Sequence, residues 1–154
     1  MRHIGLSIIL LAASVTLAAS EASLLDDLAV RYPSFSWSGT RLVQGDLNRD
    51  GKIDNAALGI GTGKVALALT LDGKDPVLME IPVDASKQFG ICPGPEPKID
   101  IRPQSEAPLN ALGATPQGYE ICSKCIEIVV SDGGCDPLQF YWNTKSKKLA
   151  WWRA

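Results

Sequence analysis

Histidine is nearly absent from this chain: one copy in 154 residues, His3, within a segment that reads as a leader. A chain that has lost that segment has no imidazole to serve as general base, general acid or triad member. No G-x-S-x-G or S-x-x-K appears either. The chemistry left open to an enzyme is a carboxylate pair, since any two of the 17 acids could meet in space. An excess of positive charge is also lacking. Fifteen Lys and Arg stand against 17 Asp and Glu, for a formal net charge of −2, one unit more negative without Arg2. That argues against a nucleic-acid partner. No cysteine precedes Cys92, which rules out a lipid anchor at a leader's cleavage site. Beyond the N-terminus no apolar run approaches the length of a membrane span.

What is present begins with the leader. Met1-Arg2-His3 is a short basic start, Ile4 to Val15 an apolar run, and Thr16 to Ser20 a small-residue end. This is the pattern of a secretory signal peptide over residues 1–20, with cleavage after Ser20, or after Ala18 or Ala22. Residues 21–154 are then expected to form a single β-rich domain, periplasmic or secreted, with no membrane anchor after cleavage.

The richest local pattern is D-x-N-x-D-G-x-x-D, carried by Asp46, Asn48, Asp50, Gly51 and Asp54. Calcium takes about six to eight oxygens, and a tight loop turns positions 1, 3 and 5 toward one side of the ion. Gly51 tolerates the positive φ of the sharp turn. Lys52 would offer its backbone carbonyl, and Asp54 would act directly or through water. Ala57 occupies position 12, where a helix–loop–helix calcium site needs a bidentate Glu. The flanks Arg41–Gln44 and Ala56–Ile60 read as strands, so the expected setting is strand, loop, strand. A plain Asp-Gly hairpin turn with solvated acids is the competing reading. Against it, three acids in nine positions repel one another when no cation is present.

The run Gly45-Asp46-Leu47-Asn48-Arg49-Asp50-Gly51-Lys52-Ile53-Asp54 resembles the FG-GAP (VCBS-like) calcium hairpin, G-D-x-N-x-D-G-x-x-D. The resemblance covers about twenty residues. It implies a structural Ca²⁺ with Asp46, Asn48, Asp50, the Lys52 carbonyl and Asp54 at the ligand positions. It does not bring that family's seven-bladed propeller, because the chain carries a single copy.

Cys92, Cys122, Cys125 and Cys135 in an exported chain suggest two disulfides. A redox reading of Cys122-Ser123-Lys124-Cys125 needs a following helix, whereas Ile126–Val130 reads as a strand. A zinc site would need all four thiolates. Cys135 and the Cys122/Cys125 pair lie at opposite ends of that strand, roughly 17 Å apart, which favours Cys92–Cys135 with Cys122–Cys125. Asp132 and Asp136 could form a second metal site, but Asp and Gly in a turn are commoner.

The expected fold is mainly β (a β-rich α+β chain). Its first element is a short amphipathic helix, Ser23 to Arg31, capped by Ser23 and ended by Pro33. An antiparallel meander over Arg41–Gln44, Ala56–Ile60, Val65–Leu71 and Val77–Val83 carries the blade-like calcium hairpin. Six prolines in the passages Cys92–Pro97 and Pro103–Pro116 read as an irregular loop. Ile126–Val130, Leu138–Trp142 and Leu149–Trp152 follow, the last two forming an aromatic hairpin. A lone four-stranded meander leaves a bare face, so the second half must cover it. Strand alternation puts Phe140 and Trp142 on one face and Tyr141 on the other. The tail either closes the core or exposes Tyr141, with Trp151 and Trp152, as a platform for a protein or glycan of the cell envelope. The reading that results is an exported, calcium-binding, disulfide-stabilised binding module. The alternative is a periplasmic inhibitor or immunity protein against a toxin or wall-degrading enzyme.

Overall fold

The structure, a computed structural model, describes residues 12–154 apart from 87 and 95, with side chains from residue 21. Residues 1–11 of the expected signal peptide lie outside the described residues. Eight strands form two four-stranded antiparallel sheets, each in simple sequence order. The first holds β1 (Leu42–Gly45), β2 (Asp54–Gly61), β3 (Lys64–Thr70) and β4 (Val77–Pro82). The second holds β5 (Lys98–Pro103), β6 (Ile126–Ser131), β7 (Leu138–Asn143) and β8 (Lys148–Trp152).

Alternation decides what each face does. Ala56, Leu58, Val65, Leu67 and Leu69 point inward, where they meet Ile128, Val130, Leu138 and Phe140 of the second sheet in one core. The second half therefore covers the first, as a bare meander requires. On the other face of the first sheet, Ala57 pairs with Ala68. These small side chains let the helix α1 (Ala12–Arg31) lie close, with Leu28 buried among them and Leu24 and Leu25 alongside. The helix begins earlier than expected, so Ser23 lies within it and does not cap it. Nothing between Ala12 and Ser23 breaks a helix, because the segment lacks Gly and Pro.

The sandwich closes on one side, where β1 lies beside β5. Gly45 lies close against the second sheet there: a Cβ on it would fall 2.6 Å from the end of the Ile126 side chain on β6 and 3.6 Å from that of Ile101 on β5. The opposite side is open, and β4 faces β8 across a cavity.

Between the two passages read as irregular loop runs β5, and the second of them contains the short helix α2 (Ala107–Leu112). Ile99 and Ile101 alternate with Asp100 and Arg102, and they pair with Val130 and Ile128. Flanking prolines hid this two-residue period. Pro103 sits at the end of an edge strand, where a missing N–H is tolerated.

Both disulfides are present: Cys92–Cys135, with Cα atoms 5.6 Å apart, and Cys122–Cys125, with Cα atoms 5.0 Å apart. The first ties the β4–β5 connection to the β6–β7 turn. The second closes a turn just before β6. Two disulfides are consistent with a non-cytoplasmic protein.

Candidate metal loop at the tip of the first hairpin

The acidic motif joins β1 to β2, and the pair Gly45–Asp54 closes its base. Within the loop the side-chain oxygens are turned onto backbone amides. Asp46 accepts from Asp50 N through Oδ1 at 3.0 Å and from Gly51 N through Oδ2 at 3.1 Å. Asn48 Oδ1 accepts from the same Asp50 N at 3.0 Å, and Asp50 Oδ1 accepts from Lys52 N at 2.9 Å. Gly51 holds φ at 87°, a region an L side chain avoids.

Asp54 behaves differently from the other acids. It is fully buried, and its Oδ2 accepts from Leu47 N at 3.0 Å and Asn48 N at 3.3 Å. Its Oδ1 accepts from Asp72 N at 3.0 Å. A carboxylate offers about four lone-pair sites, so three amides leave one, on Oδ1, for a cation or water. Asp54 is thus first a brace that fixes the loop to the β3–β4 turn.

Two residues that sequence reasoning passed over complete the setting. Arg49, in left-handed backbone at φ 64°, reaches the second sheet. Its guanidinium donates to Glu120 Oε2 at 2.7 Å, to Cys125 Sγ at 3.2 Å and to the Trp142 carbonyl at 3.3 Å. These bonds offset a backbone strain of about 1 kcal/mol. Asp72, in the next turn, is bound by Lys52 Nζ at 2.8 Å and Lys74 Nζ at 3.1 Å. Its carboxyl is held well below the usual carboxylate range, first by a hydrogen bond with the Asp50 carboxyl and then by the two lysines. Lys52 thus brings its side chain, and not only its carbonyl, to the acidic cluster. Asp72-Gly73 signalled a turn in the sequence; nothing local signalled that this turn would meet the loop.

Among the described residues, the group of three His, Cys, Asp or Glu ligand atoms lying within 4.8 Å of one another is Cys92, Asp132 and Cys135. The two cysteines are joined and offer no thiolate. Asp132 is buried, its Oδ1 accepting from Gly134 N and Cys135 N, which is the work of a turn. Asp136 is exposed.

The C-terminal hairpin corrects one expectation. Tyr141 is 3% exposed and Trp152 4%, so they form no open platform. The 104–120 segment folds over the outer face of the second sheet and covers them. Tyr119 meets Tyr141 edge-on at 5.0 Å between ring centroids, and Tyr141 OH donates to the Gln117 carbonyl. Trp151 is half-buried and packs against Phe89 with the rings tilted by 49° and their centroids 5.0 Å apart. Beneath this cover lies Glu127, which accepts from Tyr119 OH at 3.2 Å and from Trp152 Nε1 at 3.3 Å. Burial pushes the Glu127 carboxyl up, against the pull of those two bonds, and pushes the Tyr119 phenol up to about 12.

Compared with known proteins, the chain matches no family model, no curated protein and no solved structure.

Proposed function

We propose that this chain is an exported calcium-binding module, crosslinked by its disulfides, that works in the periplasm or outside the cell. The observation that carries the calcium reading is the wound state of the loop. Asp46, Asn48 and Asp50 are already curled onto the loop's own amides around Gly51, and Asp54 keeps one lone pair free. Their oxygens, with the Lys52 carbonyl and water, supply the hard donors that calcium takes. The resemblance to the FG-GAP hairpin supports the same ligand positions. The ion is structural in this reading. It would fasten a tip that already joins the two sheets through Arg49 and the two hairpins through Asp54.

Calorimetric titration of Ca²⁺ into the full chain tests it. The dissociation constant should fall on the order of 10⁻⁴–10⁻³ M, as in extracellular modules. Asp50→Ala should abolish the heat while the chain stays folded. No heat from the wild type at millimolar Ca²⁺ removes the proposal. Export is tested separately, by the mass of the protein recovered outside the cytoplasm, which should begin near residue 21.

A further inference from the structure

The two crosslinks sit in opposite electrostatic settings. Beside Cys92–Cys135 stands a carboxylate: an Asp132 oxygen and the two sulfurs all lie within 4.8 Å of one another. Asp132 is buried, and its Oδ2 has no hydrogen-bond partner among the described residues. Beside Cys122–Cys125 stands a guanidinium. Arg49 Nη1 donates to Cys125 Sγ at 3.2 Å, and the Arg49 side chain is 18% exposed, so its charge is poorly screened by water.

The sulfurs of this second crosslink also differ from each other. Cys125 is buried, whereas Cys122, Ser123 and Lys124 are exposed. A thiolate from outside can therefore reach Cys122 and not Cys125. If Cys125 departs, its electron pair stays on the sulfur that Arg49 already bonds. Exchange is faster when the leaving thiolate is stabilised, and a neighbouring cation stabilises it. A thiolate forming beside Asp132 is opposed by that carboxylate instead. Cys122-Ser123-Lys124-Cys125 lacks the helix N-terminus that serves this purpose in a redox pair, because strand β6 follows it; Arg49, 76 residues away, supplies the positive charge. Glu120 takes part of that charge at 2.7 Å, but Glu120 is itself shared with the Thr144 hydroxyl and Lys147. Cys125 N donates to the Cys122 carbonyl and Gln104 N to the Cys125 carbonyl. Neither bond involves sulfur, so both can keep the two thiols close once the crosslink opens.

From this we infer that Cys122–Cys125 is a thiol–disulfide exchange site for an external dithiol, with Arg49 positioning and stabilising Cys125 as the leaving group. Cys92–Cys135 stays as the fixed crosslink. One thiolate of the dithiol attacks Cys122 Sγ. The new S–S bond forms as the Cys122–Cys125 bond breaks, and Cys125 leaves as a thiolate paired with Arg49. The second thiolate of the dithiol then attacks the dithiol's own sulfur in the mixed disulfide and releases Cys122. The dithiol ends as a disulfide, and its two electrons pass to the two cysteines. Of its two protons, one goes to Cys122 and the other to solvent while Cys125 remains a thiolate. Arg49 lies in the acidic loop but at none of its ligand positions, and the probe is a thiol, so this reading and the calcium reading fail on separate measurements.

Dithiothreitol added to the folded full chain is that probe, with thiols alkylated at intervals and assigned by peptide mass. Cys122 and Cys125 should become alkylated at least about tenfold faster than Cys92 and Cys135. Glutathione, a monothiol, should be trapped as a mixed disulfide on Cys122. Arg49→Met should slow the opening of Cys122–Cys125 about tenfold, and Arg49→Lys should restore much of the rate. Loosened packing alone would speed that opening, so the sign separates charge from structure. Asp132→Asn, which keeps an acceptor for Gly134 N and Cys135 N, should speed the opening of Cys92–Cys135. The wild-type rates and the trapped cysteine decide without any variant. Both crosslinks opening at one rate, Cys92–Cys135 opening first, or glutathione on another cysteine would overturn the inference. So would an Arg49→Met rate that is unchanged or raised.

Discussion

At the tip of the β1–β2 hairpin the chain is held by polar atoms. Four side chains accept bonds from backbone amides, and Leu47 is the one buried apolar residue between the strands, while Ile53 stands 67% exposed. In the β7–β8 hairpin the holding groups are aromatic. Phe140 closes the inner core, and Tyr141 and Trp152 are sealed beneath the 104–120 segment. Burial of large apolar surface is insensitive to ions, whereas a cluster of carboxylates depends on which cation is near. The two hairpins should therefore answer to different perturbations: the aromatic one to truncation, the acidic one to cations and to loss of its brace.

Truncation should produce the largest effects. Phe140→Ala should destabilise by about 3–5 kcal/mol in denaturant unfolding, as for other buried aromatics. Tyr141→Ala should cost nearly as much, because its face is covered too. A cost well under 1 kcal/mol for Tyr141 would mean that the 104–120 cover is loose and that the outer face is free.

The crosslinks should come next, and unequally. Serine pairs replacing Cys92 and Cys135, 43 residues apart in sequence, should cost about 4 kcal/mol. Replacing Cys122 and Cys125, three apart, should cost about 2 kcal/mol. The smaller loss should fall on the acidic hairpin, because Arg49 bonds Cys125 Sγ. Faster hydrogen exchange at residues 47–52 in that variant would show it. Equal costs for both crosslinks would contradict the loop-entropy account.

Asp54→Ala should destabilise by roughly 3 kcal/mol, since three amides lose a charged acceptor and two of them lie beside a buried Leu47. Asp50→Ala, at the exposed rim of the same loop, should cost less than about 1 kcal/mol without calcium. If the two were equal, Asp54 would be no brace.

A pH effect sharpens the picture at the aromatic hairpin. The folded Glu127 carboxyl titrates above its ordinary 4.5 because burial penalises its charged form. Its stabilising contribution is complete below that ordinary value and is lost as pH rises through the folded value. Melting temperatures from pH 4 to 7 should thus fall more for the wild type than for Glu127→Gln. Parallel curves would assign no such role to Glu127.

These contrasts also explain what could be read in advance. Seven of the eight strands follow from alternation and Gly-Asp turns, and Ala56–Leu58 and Val65–Leu69 reveal their inward faces directly. The acidic loop is legible because the bonds that Asp46, Asn48, Asp50 and Asp54 accept from backbone amides are local, all within residues 46–54 except the one from Asp72 N. Long-range contacts are not. That Arg49 would span to Glu120, 71 residues on, has no local signature. That a proline-rich passage would supply β5 and then a lid over Tyr141 depends on packing, which a pattern of single residues does not carry.

In the function proposed above, the acidic hairpin is built around a cation. Its most direct test is the melting temperature of the full chain as a function of added Ca²⁺. An ion that binds only the folded form should add about 1.4 kcal/mol at ten times its dissociation constant. The melting temperature should therefore rise with millimolar Ca²⁺, rise less with Mg²⁺, which dehydrates reluctantly, and stay flat for Asp50→Ala. A wild-type curve that is flat in Ca²⁺, or an Asp50→Ala curve that rises equally, would contradict this and leave residues 46–54 as a turn held by its own hydrogen bonds, Asp54 and Arg49.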